Sequence, residues 1–329
     1  MFAIGLTDHL ESPVDRPSAE VYAEAAEVVR LADALGVQYA WFAEHHVHVH
    51  RGHLPAPLLL ALHLASETQH IHLGMAVTCL NLHRALETAE QVAVADRLMN
   101  GRLAPGFGSG STPVEAVWLG VDDPADESER HARFETALNV IRAAWDHGQT
   151  LSSGPFLPKA ASDLRQRTWI AVNSIGAAHV AGRFGGNVLF SHLRTPAQHN
   201  GYAAAYRAAG GAGLIAMNRP VYVGADNTTA FAEAEPALRT LWLRFRDEGK
   251  IPTATPEPSA ASDLCHHPLN FIVGGPASVA RQLRALHAMC PFDVLNVELR
   301  WDGLTHGQVL QSLQRLMKIF GRRSKPAPG

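Results

Sequence analysis

Phe2-Ala3-Ile4-Gly5-Leu6-Thr7 opens the chain as a short apolar run, residues 19–35 follow with apolar positions at helical spacing, and after Gly36 the segment Val37-Gln38-Tyr39-Ala40-Trp41-Phe42-Ala43 is apolar again. Short apolar runs on either side of an amphipathic helix predict a strand, a crossover helix and a second, parallel strand. The pattern repeats outward from there. Helices are expected near residues 56–66, 86–99, 130–147, 175–184, 196–209, 227–248, 277–289 and 306–320, and strands at 71–79, 103–107, 168–172, 187–191, 219–223 and 294–299. With the first two, that makes eight strands, the number that closes a (β/α)8 TIM barrel with insertion loops at the C-terminal face of its strands. The runner-up is a doubly wound open sheet. Its dinucleotide fingerprint belongs after the first strand, whereas the nearest match, Gly106-Phe107-Gly108-Ser109-Gly110, follows the fourth and lacks the last glycine. One barrel domain is therefore expected over residues 1–320, with the Pro- and Thr-interrupted stretch 251–268 as a mobile lid and 321–329 as a flexible tail.

Composition narrows the function classes. Hydrophobic residues are 47% and charged residues 18% of the chain, enough apolar material for a large core and too little charge for a disordered one. Lys+Arg 28 against Asp+Glu 31 gives a formal charge of -3, so the basic footprint of a nucleic-acid binder is missing. No apolar run approaches the ~18–20 residues of a membrane span, and the start of the chain lacks a basic n-region. Three widely spaced cysteines, Cys79, Cys265 and Cys290, suit neither a disulfide framework nor a thiolate metal site. A cytoplasmic protein is expected.

Among 19 histidines, the densest cluster is Glu44-His45-His46-Val47-His48-Val49-His50, with His53 beyond. Glu44, His45 and His46 fall where the second strand ends, on the face where barrels hold their active sites. His48, His50 and His53 read as bystanders in a solvated loop. A histidine starting a βα loop can offer one ring nitrogen to a ligand while Glu44 or a carbonyl fixes the other. His48-Val49-His50 could start a barrel metal site, with His192, His266 and His267 as possible contributors, but the fourth and fifth strand ends offer no metal ligand of choice. No metal is expected. Those strand ends are instead small and hydroxylic: Gly108, Ser109, Gly110, Ser111 and Thr112 after one, Asn173 and Ser174 before a helix starting near Ile175 after the other. Both suit an anion. Ser174 has two readings, a helix N-cap or part of a phosphate cradle.

An ordered set of segments then carries a resemblance. Trp41 to His46, residues 55–65, Leu73-Gly74-Met75-Ala76-Val77, Ala89-Glu90-Gln91-Val92 with Asp96, Gly101-Arg102-Leu103, residues 106–113, and Val273-Gly274-Gly275-Pro276 with Val279 resemble the bacterial luciferase-like flavin monooxygenases over residues 2–320. The resemblance implies a (β/α)8 barrel, reduced FMN supplied by a separate flavin reductase, and molecular oxygen used through a flavin peroxide on a small organic substrate. It implies a homodimer through helices near 56–66 and 86–99, His45 as the active-site histidine, and Ala76-Val77 under the flavin ring, where the family can carry a non-proline cis peptide. Ser109 stands where many members have an Arg for the cofactor phosphate, and Asn173, Ser174 and Ala177 match positions completing that site. Asn81 and Ala85 replace prolines common in the loop after the third strand. Competing readings are a deazaflavin-dependent hydride-transfer enzyme on the same barrel, a non-catalytic flavin-binding protein and a barrel metallohydrolase. Pocket walls are expected from residues 47–54, 114–129, 192–195 and 251–270.

Overall fold

The computed structural model describes residues 2–47, 50–110, 113–122, 124, 126–148, 154–249, 251–266 and 269–320. The elements are β1 (Ala3–Asp8), α1 (Ser18–Leu35), β2 (Tyr39–Phe42), α2 (Pro57–Ala65), β3 (His72–Met75), β4 (Thr78–Cys79), α3 (Ala85–Leu98), β5 (Leu103–Ala104), β6 (Gly106–Gly108), α4 (Pro113–Leu119) and α5 (Glu127–His147). Then come α6 (Leu164–Arg167), β7 (Trp169–Val172), α7 (Ile175–Phe184), β8 (Asn187–Phe190), α8 (Pro196–Ala208), β9 (Ile215–Val223), α9 (Asn227–Asp247), α10 (Ala261–Leu264), β10 (Ile272–Gly274), α11 (Pro276–Met289), β11 (Val294–Glu298) and α12 (His306–Phe320).

In pairing order the strands run β4-β6-β7-β8-β9-β11-β1-β2-β3-β5. All pairs are parallel. Expected strand 71–79 is the two pieces β3 and β4, broken at Ala76-Val77, and expected strand 103–107 is β5 and β6, broken at Pro105. Below the breaks β3 pairs with β5; above them β4 pairs with β6. Both ends of the path thus belong to the same two strands, and the sheet closes into the eight-stranded barrel that the sequence predicts. Closure makes the first and last barrel strands neighbours: Thr7 of β1 lies beside Glu298 of β11, and Asp8 beside Phe42 of β2.

Side chains of the strands divide between two cores. Outward-facing ones meet the helices in one large apolar cluster. Inward, Trp41, Trp169, Leu189 and Val294 fill the barrel with the small residues Ala3, Ala104 and Ala216 between them. Tyr39 stacks on Trp41 at 4.8 Å, and the Trp41 indole donates to the Ala104 carbonyl at 3.1 Å. Two indoles fit only where neighbours give way: a Cβ on Gly5 would come within 2.7 Å of the Trp41 ring, and one on Gly74 within 1.7 Å of the Ala104 oxygen. Ala76 and Val77 pack on this plug, which so becomes the floor of whatever lies above it.

Four features depart from the sequence expectation. β9 begins at Ile215 rather than 219; its polar Asn218-Arg219-Pro220 centre masked the run. β10 pairs with Val221–Val223 of β9, an added short strand. Helix α4 occupies part of the expected loop 114–129. The stretch read as an unanchored lid is anchored: Ile251, Leu264 and Leu269 are buried against Trp242, Phe245 and Trp301, and α10 packs on α9. The expected tail 321–329 lies outside the described residues.

Candidate active site

A cavity of about 550 Å³ opens at the C-terminal ends of the barrel strands. That falls within the ~300–1,000 Å³ typical of small-molecule sites. Its wall includes Glu44, His45, Ala76, Val77, Gly108, Ser109, Gly110 and Asn173, so eight of the sequence-predicted residues share one chamber. Ser174 and Ile175 follow Asn173 directly but do not line it. The Ser174 hydroxyl accepts from the Ala177 amide at 3.2 Å, which makes it the N-cap of α7, and the Ile175 side chain is 47% exposed. Ser111, Thr112, His48 and His267 lie outside the described residues.

The peptide Ala76-Val77 is cis. The neighbouring glycines serve the barrel more than a ligand: a Cβ on Gly106 would lie 1.9 Å from the Met75 oxygen, and one on Gly108 would lie 2.5 Å from Val77 Cγ2. Gly108 and Gly110 nonetheless line the cavity. Asn81 has a task of its own, donating to the Ser109 carbonyl at 2.9 Å and the Arg130 carbonyl at 3.1 Å, which ties the end of β6 to α5.

His45 has different partners from those expected. Its Nε2 meets His9 Nδ1 at 2.9 Å, and its Nδ1 lies 3.7 Å from Glu115 Oε1. Glu44 instead bonds His46 Nε2 at 3.0 Å and His83 Nε2 at 2.9 Å, so it does not fix the His45 tautomer. Despite burial, these two imidazoles hold the Glu44 carboxyl below the usual carboxylate range, and Glu44 raises His46. Glu44, His46 and His83 keep one ligand atom each within 4.8 Å of one another, the one group among the described residues that could hold a metal ion. His53 is no solvated bystander: it is buried, bonded to Ser18 Oγ at 2.9 Å and the Pro13 carbonyl at 3.2 Å, and it staples the loop after β2 to the start of α1.

Behind His45 lies a buried charge network. Glu11 binds Arg51 Nε and an Arg244 nitrogen, each at 2.6 Å. Burial would push the Glu11 carboxyl up, but the two guanidinium groups win and hold it at about 2. Glu298, buried at the end of β11 with Glu11 nearby, goes the other way, to about 8. On the other side of the cavity, Arg194 Nε reaches the Asn173 carbonyl at 3.4 Å. Of the two arginines in the wall, Arg51 is paired with Glu11, while Arg194 has no ion-pair partner among the described residues. Sequence reasoning missed His9, Glu115, Arg194 and Glu298. The strand-end rule that singled out His45 applies equally to His9, just past the end of β1, and to Glu298, which ends β11.

The sequence profile of the luciferase-like monooxygenases matches residues 2–291. This chain belongs to that family. Luciferase-like monooxygenases are flavin-dependent oxidoreductases. The uncharacterized protein y4wF of Sinorhizobium fredii is 28% identical over 300 residues, 85% of either chain. Among solved structures, the oxygenating constituent of 3,6-diketocamphane monooxygenase from Pseudomonas putida, a complex with FMN, superposes with a TM-score of 0.76 at 18% identity, covering 96% of this chain and 97% of that one. The coenzyme F420-dependent tetrahydromethanopterin reductase of Methanopyrus kandleri has the same fold, with a TM-score of 0.71 at 15% identity over 97% of this chain and 99% of that one. No described helix is long and apolar enough to cross a membrane.

Proposed function

We propose that this protein is an FMN-dependent monooxygenase that oxidises a small organic substrate with reduced FMN and molecular oxygen. The observation that carries this is the single cavity wall that joins a histidine pair, His9 and His45, to a rim of anion-compatible donors, Ser109, Gly110, Asn173 and Arg194. That donor set fits a phosphate-bearing cofactor. Arg194 brings a charged fork to the rim, in place of an arginine at position 109. Ser109, Gly110 and Asn173 would orient the phosphate end, and Ala76 and Val77 would support the ring from the floor. Bound reduced FMN would supply the two electrons that activate dioxygen.

The chain's own residues do the rest. Ala43, Val77, Leu189, Phe190, Leu193 and Phe245 make the chamber partly apolar and exclude water from the reacting edge. His45 Nε2 and His9 Nδ1 share one proton across 2.9 Å, so His45 can give or take a proton at the wall. Glu115 orients His45 from its Nδ1 side. A separate flavin reductase supplies the reduced cofactor, as the description of the Pseudomonas relative as an oxygenating constituent suggests. A homodimer through α2 and α3 is supported by Leu59, Val94 and Leu98, which those helices expose.

A second reading, deazaflavin-dependent hydride transfer, is favoured by the F420-dependent relative. Titration with FMN, riboflavin and F420 tests both. FMN should bind more tightly than riboflavin, and Arg194→Gln should remove ~10–100-fold of that preference, the worth of a charged hydrogen bond. Oxygen uptake with chemically reduced FMN and a substrate panel should then identify the acceptor class. Binding of F420 but not FMN, with no oxygen uptake, overturns the monooxygenase reading.

A further inference from the structure

We infer that His9 and Glu298 form a proton chain behind His45, so that the wall histidine is the first of three linked groups that store and deliver one proton. This rests on the reading of His45 as the acid–base residue.

Topology brings the three together. β1 lies between β2 and β11 in the closed barrel, so residues at these three strand ends are lateral neighbours although His9 and Glu298 come from opposite ends of the chain. His9 Nδ1 is 2.9 Å from His45 Nε2, and His9 Nε2 is 3.9 Å from Glu298 Oε2. That Glu298 oxygen is buried and has no hydrogen-bond partner among the described residues. Closing that 3.9 Å gap to His9 Nε2 would give it one.

The surrounding charges decide where the protons sit. Glu298 faces Glu11 and Asp8, which oppose its ionisation, and Arg51 and Arg244, which favour it but are already bonded to Glu11. With burial the largest influence, its carboxyl is pushed up to about 8 and carries a proton near neutrality. His9, lowered by burial and then by Arg51, His45, His192 and Arg244, is neutral there. A neutral imidazole has one N–H and one lone pair, and the Glu115 carboxylate beside His45 can only accept, so with both rings neutral the donors run from Glu298 toward Glu115. Glu298 Oε2 holds its proton 3.9 Å from His9 Nε2, His9 Nδ1–H donates to His45 Nε2 at 2.9 Å, and His45 Nδ1–H points to the Glu115 carboxylate 3.7 Å away.

The transfer balances. When His45 gives its Nδ1 proton to an acceptor in the cavity, its Nε2 takes the His9 Nδ1 proton, and His9 Nε2 takes the proton of Glu298. One proton leaves the chain, and Glu298 ends as a carboxylate that the charges of Arg51 and Arg244 favour. His9 and Glu298 are positioning and storage residues; His45 alone meets the reacting group.

The test begins on cofactor-free protein with ¹⁵N-labelled histidine. Long-range ¹H–¹⁵N spectra at pH 7 should show both His9 and His45 as Nδ1–H tautomers. Glu298→Gln keeps a donor for His9 Nε2 but has no proton to release. It should leave the tautomers unchanged, abolish a titration near pH 8 in turnover, and slow turnover on the order of tenfold, less than the ~10²–10⁴ of losing an acid–base group. His9→Asn should lose the same pH limb. An Nε2–H tautomer at His45, or an unchanged pH profile in Glu298→Gln while His45→Ala is inactive, overturns the chain. If His45→Ala keeps full turnover, the acid–base reading fails instead, and the tautomers judge the chain by themselves.

Discussion

Glu298→Gln should stabilise the fold at neutral and alkaline pH, and the gain should grow with pH. The residue is 5% exposed, so its carboxyl has little water to solvate a charge. In the unfolded chain it titrates near 4.5; in the fold, burial and the Glu11 charge raise it to about 8. A raised folded value means that the protonated state is the stable one. The contribution is complete below about 4.5 and is lost as pH rises toward 8, because the unfolded chain releases a proton that the fold must hold. Between pH 5 and pH 9 the loss is on the order of 4 kcal/mol, at ~1.36 kcal/mol per unit over the roughly three units crossed. Glutamine has nearly the same shape and does not titrate. Urea unfolding followed by tryptophan fluorescence at pH 5, 7 and 9 would measure it. Every other titrating group is common to both proteins and cancels in the difference. The mutant's advantage should be small at pH 5 and grow by about 4 kcal/mol by pH 9. Parallel stability curves would show a carboxyl unshifted by folding, and a wild-type protein that gains on the mutant as pH rises would show Glu298 ionised and well paired; either result would refute the assignment of its proton.

Three further outcomes are expected. Arg167→Ala should cost ~3–5 kcal/mol in chemical denaturation, because Asp96, 2% exposed and held by both Arg167 terminal nitrogens at 2.9 and 3.0 Å, is left as an unpaired buried charge. Leu98→Asp should lower the association state seen by sedimentation velocity without changing circular dichroism, since Leu98 is 63% exposed on α3, where Val94 is exposed too, as is Leu59 on α2; an unchanged sedimentation coefficient would place any interface elsewhere. Exhaustive EDTA treatment should leave FMN binding and oxygen uptake intact, whereas a loss restored by zinc would bring Glu44, His46 and His83 into the reaction as ligands.

The barrel was legible because each buried strand is a short apolar run and each covering helix has an apolar stripe. Legibility failed where a strand carries polar residues for a reason beyond its own periodicity. Asn218, Arg219 and Pro220 concealed half of β9, and the breaks at Ala76-Val77 and Pro105 lie within runs that read as continuous. The site followed the same division. Position along the chain put His45, Glu44, Ser109 and Asn173 at strand ends, and the cavity gathers them. Partnership was misread, because adjacent numbering suggested Glu44 for His45, whereas a residue's neighbours at a barrel rim are set by strand order. That order was itself deducible. Eight parallel strands that close into a barrel force the first beside the last, so a histidine just past Asp8 must stand near whatever ends β11, and the register pairs Thr7 with Glu298. A glutamate inside the run Val294-Leu295-Asn296-Val297-Glu298-Leu299 is a costly residue to bury, and closure supplies the reason that position by itself could not: it sets Glu298 3.9 Å from His9, in the field of Arg51 and Arg244.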